Sequence, residues 1–76
     1  MDRTDLITTP NVEGEKIVGY LGVVYARENT ADKVFDEIVK QGNKLNADYV
    51  VGFSFIQQSP KRFYAFGTAV KTQTIN

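Results

Sequence analysis

Three long segments rich in β-branched and aromatic residues, with only one helix-type segment among them, are the strongest constraint on the fold of this 76-residue chain. Such composition is typical of β-strands, and we predict strands over residues 16–27, 48–57 and 62–72. A turn at residues 58–61 makes the last two strands a hairpin. A short extra strand is predicted at residues 6–9, before Pro10, because proline cannot donate a ladder hydrogen bond.

One helix is predicted over residues 31–45, where apolar side chains recur at helical spacing. Thr30 is a suitable N-cap because its hydroxyl can accept a hydrogen bond from an early backbone N–H. Asn46 follows the helix at the position where a left-handed residue ends many helices. Gly42 lies on the apolar side, and we expect it to allow a close approach of the helix to the sheet.

The fold class is therefore α+β, with strand–helix–strand–strand order and a small sheet packed on one helix. Residues 1–76 form a single domain, because a chain this short rarely holds two cores. The last strand takes either of two places, between the other two or at an edge.

Both faces of the predicted sheet are apolar, because side chains alternate between faces and both sets are rich in apolar residues on all three strands. One helix covers only one face, and soluble monomers rarely expose a large apolar patch. Polar terminal arms are too short to cover the rest, so we predict that other copies of the chain bury the second face. The predicted interface consists of Tyr20, Val24, Tyr64 and Phe66 with the N-terminal strand residues Leu6 and Ile7.

Composition excludes several kinds of function. Nine basic residues balance nine acidic ones, and generic binders of nucleic acid or anionic membranes need a basic excess. The chain has no Cys and no His, which removes disulfides, Cys/His zinc sites and Ser-His triads. A domain this small usually needs a further source of stability, and oligomerisation is the one that remains. No signal-type segment is visible, so we expect a cytoplasmic protein.

Candidate chemistry is sparse. Asp32 and Asp36 share a helix face and could hold a hard cation. Such cations need more ligands than these two carboxylates. We therefore favour a solvated acidic face whose charge is balanced by Lys33 and Lys40. Lys61 and Arg62 stand beside Phe63 and Tyr64, a combination of basic and aromatic residues that could stack nucleic-acid bases. We favour packing of the aromatic side chains in the core or an interface over this binding role. Glycine-rich phosphate loops are absent. We therefore expect a protein without a cofactor, and a non-enzymatic role is favoured over an enzymatic one.

Three stretches resemble the YbjQ-like proteins, a family described as heavy-metal-binding domains. TTPNVEGEKIVGYLGVV (residues 8–24) is similar to their N-terminal signature, and KLNADYVVGFSF (residues 44–55) and FGTAVK (residues 66–71) are similar to later segments. The chain departs from the family pattern in a shortened segment after the first strand, in Arg27 where many members have Glu, and in Asn46 for Gly. Soft metals prefer Cys and His ligands, which this chain lacks.

The resemblance implies a ring-shaped homopentamer with a sheet and a helix in each subunit. It also implies that short strands join neighbouring subunits, a role that residues 6–9 would take. The expected function is that of a small non-enzymatic homo-oligomer, with binding of a small ligand or metal left open. Two alternatives are a dodecin-like particle that stores flavin, and a small enzyme with an acid and a tyrosine converging at subunit junctions.

Overall fold

The computed structural model describes residues 1–75. A short 3-10 turn, Arg3–Asp5, precedes four longer elements. These are strand β1 (Glu15–Glu28), helix α1 (Ala31–Lys44), strand β2 (Tyr49–Ser59) and strand β3 (Arg62–Thr74). The three long predicted strands and the predicted helix are present, and the α+β class is confirmed. The short strand predicted at residues 6–9 is reduced to an isolated parallel bridge between Leu6 and Val50. No helix within residues 1–75 combines the length and apolar character needed to cross a membrane.

The three strands form one antiparallel sheet in the order β1-β3-β2. The last strand therefore takes the central place, which was one of the two arrangements compatible with the sequence. Helix α1 connects the two outer strands and packs against one side of the sheet. We call that side the helix face and the opposite side the helix-free face.

Bulges in β1 and β2 change which side chains share a face. The β1–β3 register shifts at Val18 and again at Leu21, and the β2–β3 register shifts at Gly52 and Phe53. Because side chains alternate along a strand, an extra residue moves those beyond it to the other face. Two of the bulge glycines need a backbone that other residues rarely adopt, with φ of +147° at Gly22 and +61° at Gly52.

The bulge at Leu21 corrects one predicted interface residue. Simple alternation places Tyr20 and Val24 on the same face, but the extra residue between them separates the two. Val24 is only 1% exposed and belongs to the core, whereas Tyr20 faces solvent on the opposite side. The side chain of Val24 is therefore not available to a partner in this structure.

The core lies between α1 and the helix face. Its fully buried side chains include Ile38 and Val34 of the helix and Val50 of β2. Phe35 of the helix stacks on Phe55 with ring centroids 5.0 Å apart. The neighbouring rings of Phe53 and Phe63 extend the same aromatic cluster.

The helix ends are capped as the sequence predicts. Thr30 Oγ1 accepts a hydrogen bond from the Lys33 backbone N–H at 3.2 Å. Asn46 adopts a left-handed backbone with φ of 58°. The reason for Gly42 is different from the one expected: an added Cβ would clash with Met1 Sδ, so the glycine makes room for Met1 rather than for the sheet.

Residues 7–9 form a short parallel pairing with β2 of the same chain. The Ile7 N–H donates to the Val50 carbonyl at 2.8 Å, and the Ile7 carbonyl accepts from Phe53 N–H at 2.9 Å. The Gly52 N–H donates to the Thr9 carbonyl at 2.8 Å. The family resemblance implies that this strand joins subunits, whereas here its hydrogen-bond partner lies within the chain.

Element lengths explain why much of the sheet stays uncovered. Fourteen strand residues span about 46 Å at a rise of about 3.3 Å each, and the longest dimension of the chain is 44 Å. Fourteen helical residues span only about 21 Å. Helix α1 therefore covers about half the length of one face and none of the other.

The tightest position in the sheet is Gly67 of β3. A Cβ there would lie 3.1 Å from the Val51 carbonyl oxygen and would also overlap the Val50 side chain. We expect Gly67→Ala to lower the free energy of unfolding by about 1–3 kcal/mol, the usual cost of overpacking. Urea unfolding measures this change. Gly19→Ala is the control, because its Cβ would meet only Lys71 Cβ at 3.7 Å, and an equal loss in both variants would contradict the explanation.

Candidate functional site

The helix-free face is the largest feature that the fold leaves unexplained. Directly opposed residues of antiparallel strands project to the same face, so the strand register defines its members. The pairs Val23–Thr68, Tyr25–Phe66 and Arg27–Tyr64 join β1 to β3, and the pairs Ser54–Phe66 and Ile56–Tyr64 join β2 to β3.

Large apolar side chains on this face point into solvent. Val23 is 77% exposed and Tyr20 is 73% exposed. Tyr25, Ile56 and Phe66 are exposed as well. A cluster of exposed apolar side chains of this kind is typical of an interaction site.

Tyr64 anchors one end of the patch. Its ring stacks on Tyr25 with the centroids 6.5 Å apart and the planes at 25°. The guanidinium of Arg27 lies over the same ring, 5.5 Å from its centroid. The Tyr64 hydroxyl donates a hydrogen bond to the Gln58 side-chain oxygen. These contacts fix the orientation of the ring before any partner binds.

Three of the six predicted interface residues lie on the helix-free face, namely Tyr20, Tyr64 and Phe66. Leu6 packs against the core on the other side, and Ile7 is half-buried beside β2. An interface role for these residues stays a prediction, with Val24 removed from the set. Sequence reasoning missed Val23, Tyr25 and Ile56, although the strand glycines were a signal that the alternation would shift.

The outer edge of β1 is closed at one point by a side chain. Gln41 Nε2 donates to the Tyr25 carbonyl at 2.7 Å, and Gln41 Oε1 accepts from the Tyr25 N–H at 3.0 Å. The amide thus takes the place of a neighbouring strand. At the other end, β1 residues 15–19 pair with β3 residues 71–74 beyond the start of β2, as a two-stranded ribbon. Such a ribbon has little stability of its own.

The acidic pair Asp32 and Asp36 on α1 contacts Arg3, whereas Lys33 and Lys40 were the expected partners. Arg3 contacts Asp32 at 3.1 Å and Asp36 at 2.8 Å, and these hydrogen bonds, the one to Asp36 first, raise the pKa of Arg3 above its ordinary value. Lys33 instead reaches Asn29 Oδ1 at 3.4 Å. The pair therefore joins the N-terminal turn to the helix. Within residues 1–75, no three His, Cys, Asp or Glu residues come together as a metal site.

Glu15 and Tyr49 form an acid–tyrosine pair on the helix-free face, near the ribbon. The Tyr49 hydroxyl lies 3.5 Å from Glu15 Oε1, and Glu15 Oε2 is buried with no hydrogen-bond partner in the described part of the chain. Desolvation, followed by the negative charges of Glu15 and Asp5, raises the pKa of Tyr49 above its ordinary value. The phenol therefore stays protonated at neutral pH and can donate its proton in a hydrogen bond to Glu15.

The carboxylate of Asp48, just before β2, contacts residues of β3. Its Oδ2 accepts from the Thr72 N–H at 2.9 Å, and Lys71 Nζ lies 3.4 Å from Oδ1. The backbone hydrogen bond from Thr72 is the main cause that lowers the pKa of Asp48, and the Lys71 side chain adds to it.

Because the folded-state pKa of Asp48 is depressed, its contribution to stability is present above the unfolded pKa of about 4 and is lost as the pH falls through the lower folded value. We expect Asp48→Asn to reduce the loss of stability as the pH falls below about 4. Urea unfolding at a series of pH values measures it. Glu13→Gln, at an exposed turn position, is the control. Identical acid profiles for both variants would contradict this assignment.

Comparison with known proteins adds one relative. No family model matches the sequence. A UPF0145 protein of Methanocaldococcus jannaschii is 29% identical over 82 residues, an alignment that covers 91% of this chain and 92% of the relative. The chain thus has a distant homologue among the UPF0145 proteins, the YbjQ-like family that its three motifs resemble.

Proposed function

We propose that this chain is the subunit of a non-enzymatic homo-oligomer, a pentamer, that buries the helix-free face between copies. One observation carries the proposal: Tyr20, Val23 and Tyr25 expose large apolar side chains on the face that α1 does not cover. Exposed aromatic residues of this kind are the usual anchors of protein interfaces. The number five rests on the resemblance to YbjQ-like proteins, and the cytoplasm remains the expected location.

Charge and fold both favour a second copy as the occupant of this face. The formal net charge is zero, so copies of the chain do not repel one another at long range. The projecting ribbon of residues 15–19 and 71–74 would also gain stability from neighbouring chains. A sheet that is apolar on both faces is stable only when other elements or chains pack on both faces.

Three other functions have weaker support. A flavin-storing particle of the dodecin type would have to stack the flavin on tyrosine or phenylalanine, because the chain has no Trp. An enzyme gains one observation in its favour, the Glu15–Tyr49 pair with its unpartnered carboxylate oxygen. The raised pKa of Tyr49 keeps its phenol protonated at neutral pH, which disfavours this residue as a general base. A metal-binding role would lack the Cys and His ligands that soft metals prefer.

Native mass spectrometry of protein purified without chelator tests the proposal. We expect a mass of five 8.5-kDa chains, with no additional mass. Additional mass equal to a flavin, together with visible absorbance, would favour the storage particle. A single-chain mass at micromolar concentration would contradict the proposed assembly.

A further inference from the structure

A second surface feature lies at the end of the sheet where β1 finishes and β2 turns into β3. It is a pocket of about 360 Å³ lined by Arg27, Glu28, Asn29, Lys61 and Arg62. Its basic residues come from two distant parts of the sequence. The pairing of Arg27 with Tyr64 brings the end of β1 beside the hairpin turn.

The charges of this pocket are unbalanced. Three cationic side chains face one acidic side chain, Glu28. Among residues 1–75, the carboxylates that form ion pairs do so with Arg3 and Lys71, and none reaches Arg27, Lys61 or Arg62. In a chain with no net charge, this is a local concentration of positive charge that a bound anion would neutralise.

Two of the lining residues are already held in place. The Arg27 guanidinium rests on the Tyr64 ring, 5.5 Å from its centroid, and that ring is fixed by its hydrogen bond to Gln58. The Asn29 side chain is held by Lys33 Nζ at 3.4 Å. Asn29 also precedes the helix N-cap, so the positive end of the helix dipole adds to the field. A partly ordered site loses less entropy when a ligand binds.

We propose that this pocket binds a small ligand through a phosphate group. Two arginines can each offer paired N–H donors that match the oxygens of a phosphate, and Lys61 adds a point charge. A volume near 360 Å³ lies at the lower end of the range for small-molecule pockets. A nucleic acid is a poorer match, because its binding draws on many basic residues along an extended surface.

Titration of the assembled protein with inorganic phosphate tests the site, with chloride at equal ionic strength as the reference. We expect saturable heat by calorimetry and a rise in melting temperature that chloride does not reproduce. The variant Lys61→Gln with Arg62→Gln, which leaves Arg27 and its contact with Tyr64 unchanged, should weaken phosphate binding by a factor of about 100, since each charge-assisted contact accounts for a factor of about 10 or more. The control Lys16→Gln with Lys40→Gln removes the same charge from two exposed positions elsewhere and should bind as the unmodified protein does.

Two results would overturn the proposal. One is equal loss of binding in both double variants, which would mean general electrostatic attraction. The other is binding of a ten-nucleotide single strand more than a hundredfold tighter than phosphate, which would assign the surface to nucleic acid. Native mass spectrometry of the same samples tests the proposed assembly separately from phosphate binding. The pocket variants should keep the oligomeric mass even where they weaken phosphate binding.

Discussion

Replacing Tyr25 and Phe66 together by aspartate is expected to convert the proposed oligomer into single chains. The two residues are opposed across β1 and β3 at the middle of the helix-free face, and both are exposed in the single chain. Loss of one buried aromatic anchor costs about 2 kcal/mol or more, and burying an added carboxylate costs further free energy. The dissociation constant should therefore rise at least about a hundredfold, because every 1.4 kcal/mol is about a factor of ten.

Sedimentation velocity and circular dichroism measure the two consequences. The sedimentation coefficient should fall to that of one chain, while the circular dichroism spectrum stays unchanged because neither side chain belongs to the core. The control Asn11→Asp with Asn43→Asp adds the same two charges at exposed positions outside the face. An unchanged oligomer in the Tyr25 and Phe66 variant would show that copies associate through another surface.

The substitution Ile38→Ala is expected to give the largest loss of folding stability. Ile38 is 0% exposed and is among the largest fully buried side chains in the core between α1 and the sheet. Truncation of such a residue leaves a cavity and typically costs about 2–5 kcal/mol. A chain of this size has a total stability of roughly 4–11 kcal/mol, at about 0.05–0.15 kcal/mol per residue. The variant should therefore be close to unfolding at 37 °C.

Urea unfolding at one fixed chain concentration measures this loss, because association also contributes to apparent stability. Lys40→Ala is the control on the exposed side of the same helix and should change stability by less than about 0.5 kcal/mol. A loss below about 1 kcal/mol for Ile38→Ala would mean that the helix does not pack on the sheet as described.

Local patterns were sufficient for the elements but not for the faces of the sheet. Thr30 and Asn46 marked the helix ends because caps depend on neighbouring residues alone. Gly19 and Gly22 signalled irregular strand geometry, yet a bulge at Leu21 only becomes certain once the partner strand is known. That single residue decides whether Val24 joins the core or the surface.

Contacts between distant parts of the chain could not be predicted either, because they also depend on the tertiary structure. Arg3 bridges Asp32 and Asp36 across about thirty residues, and no spacing rule connects an N-terminal arginine with a helix face. Met1 fills the space beside Gly42 in the same way. The basic pocket joins Arg27 to the hairpin turn only through the β1–β3 register. Composition predicted an apolar second face, whereas tertiary structure was needed to identify its exposed residues.

Burial of the helix-free face is the central claim, and thiol labelling of a Val23→Cys variant tests it most directly. The chain contains no Cys, so the introduced thiol is unique, and Val23 is 77% exposed in the single chain. A Lys40→Cys variant supplies the reference rate for an exposed helix position. In the intact oligomer, alkylation at position 23 should be slower than at position 40 by at least tenfold. Equal rates in samples of confirmed oligomeric mass would contradict burial of this face.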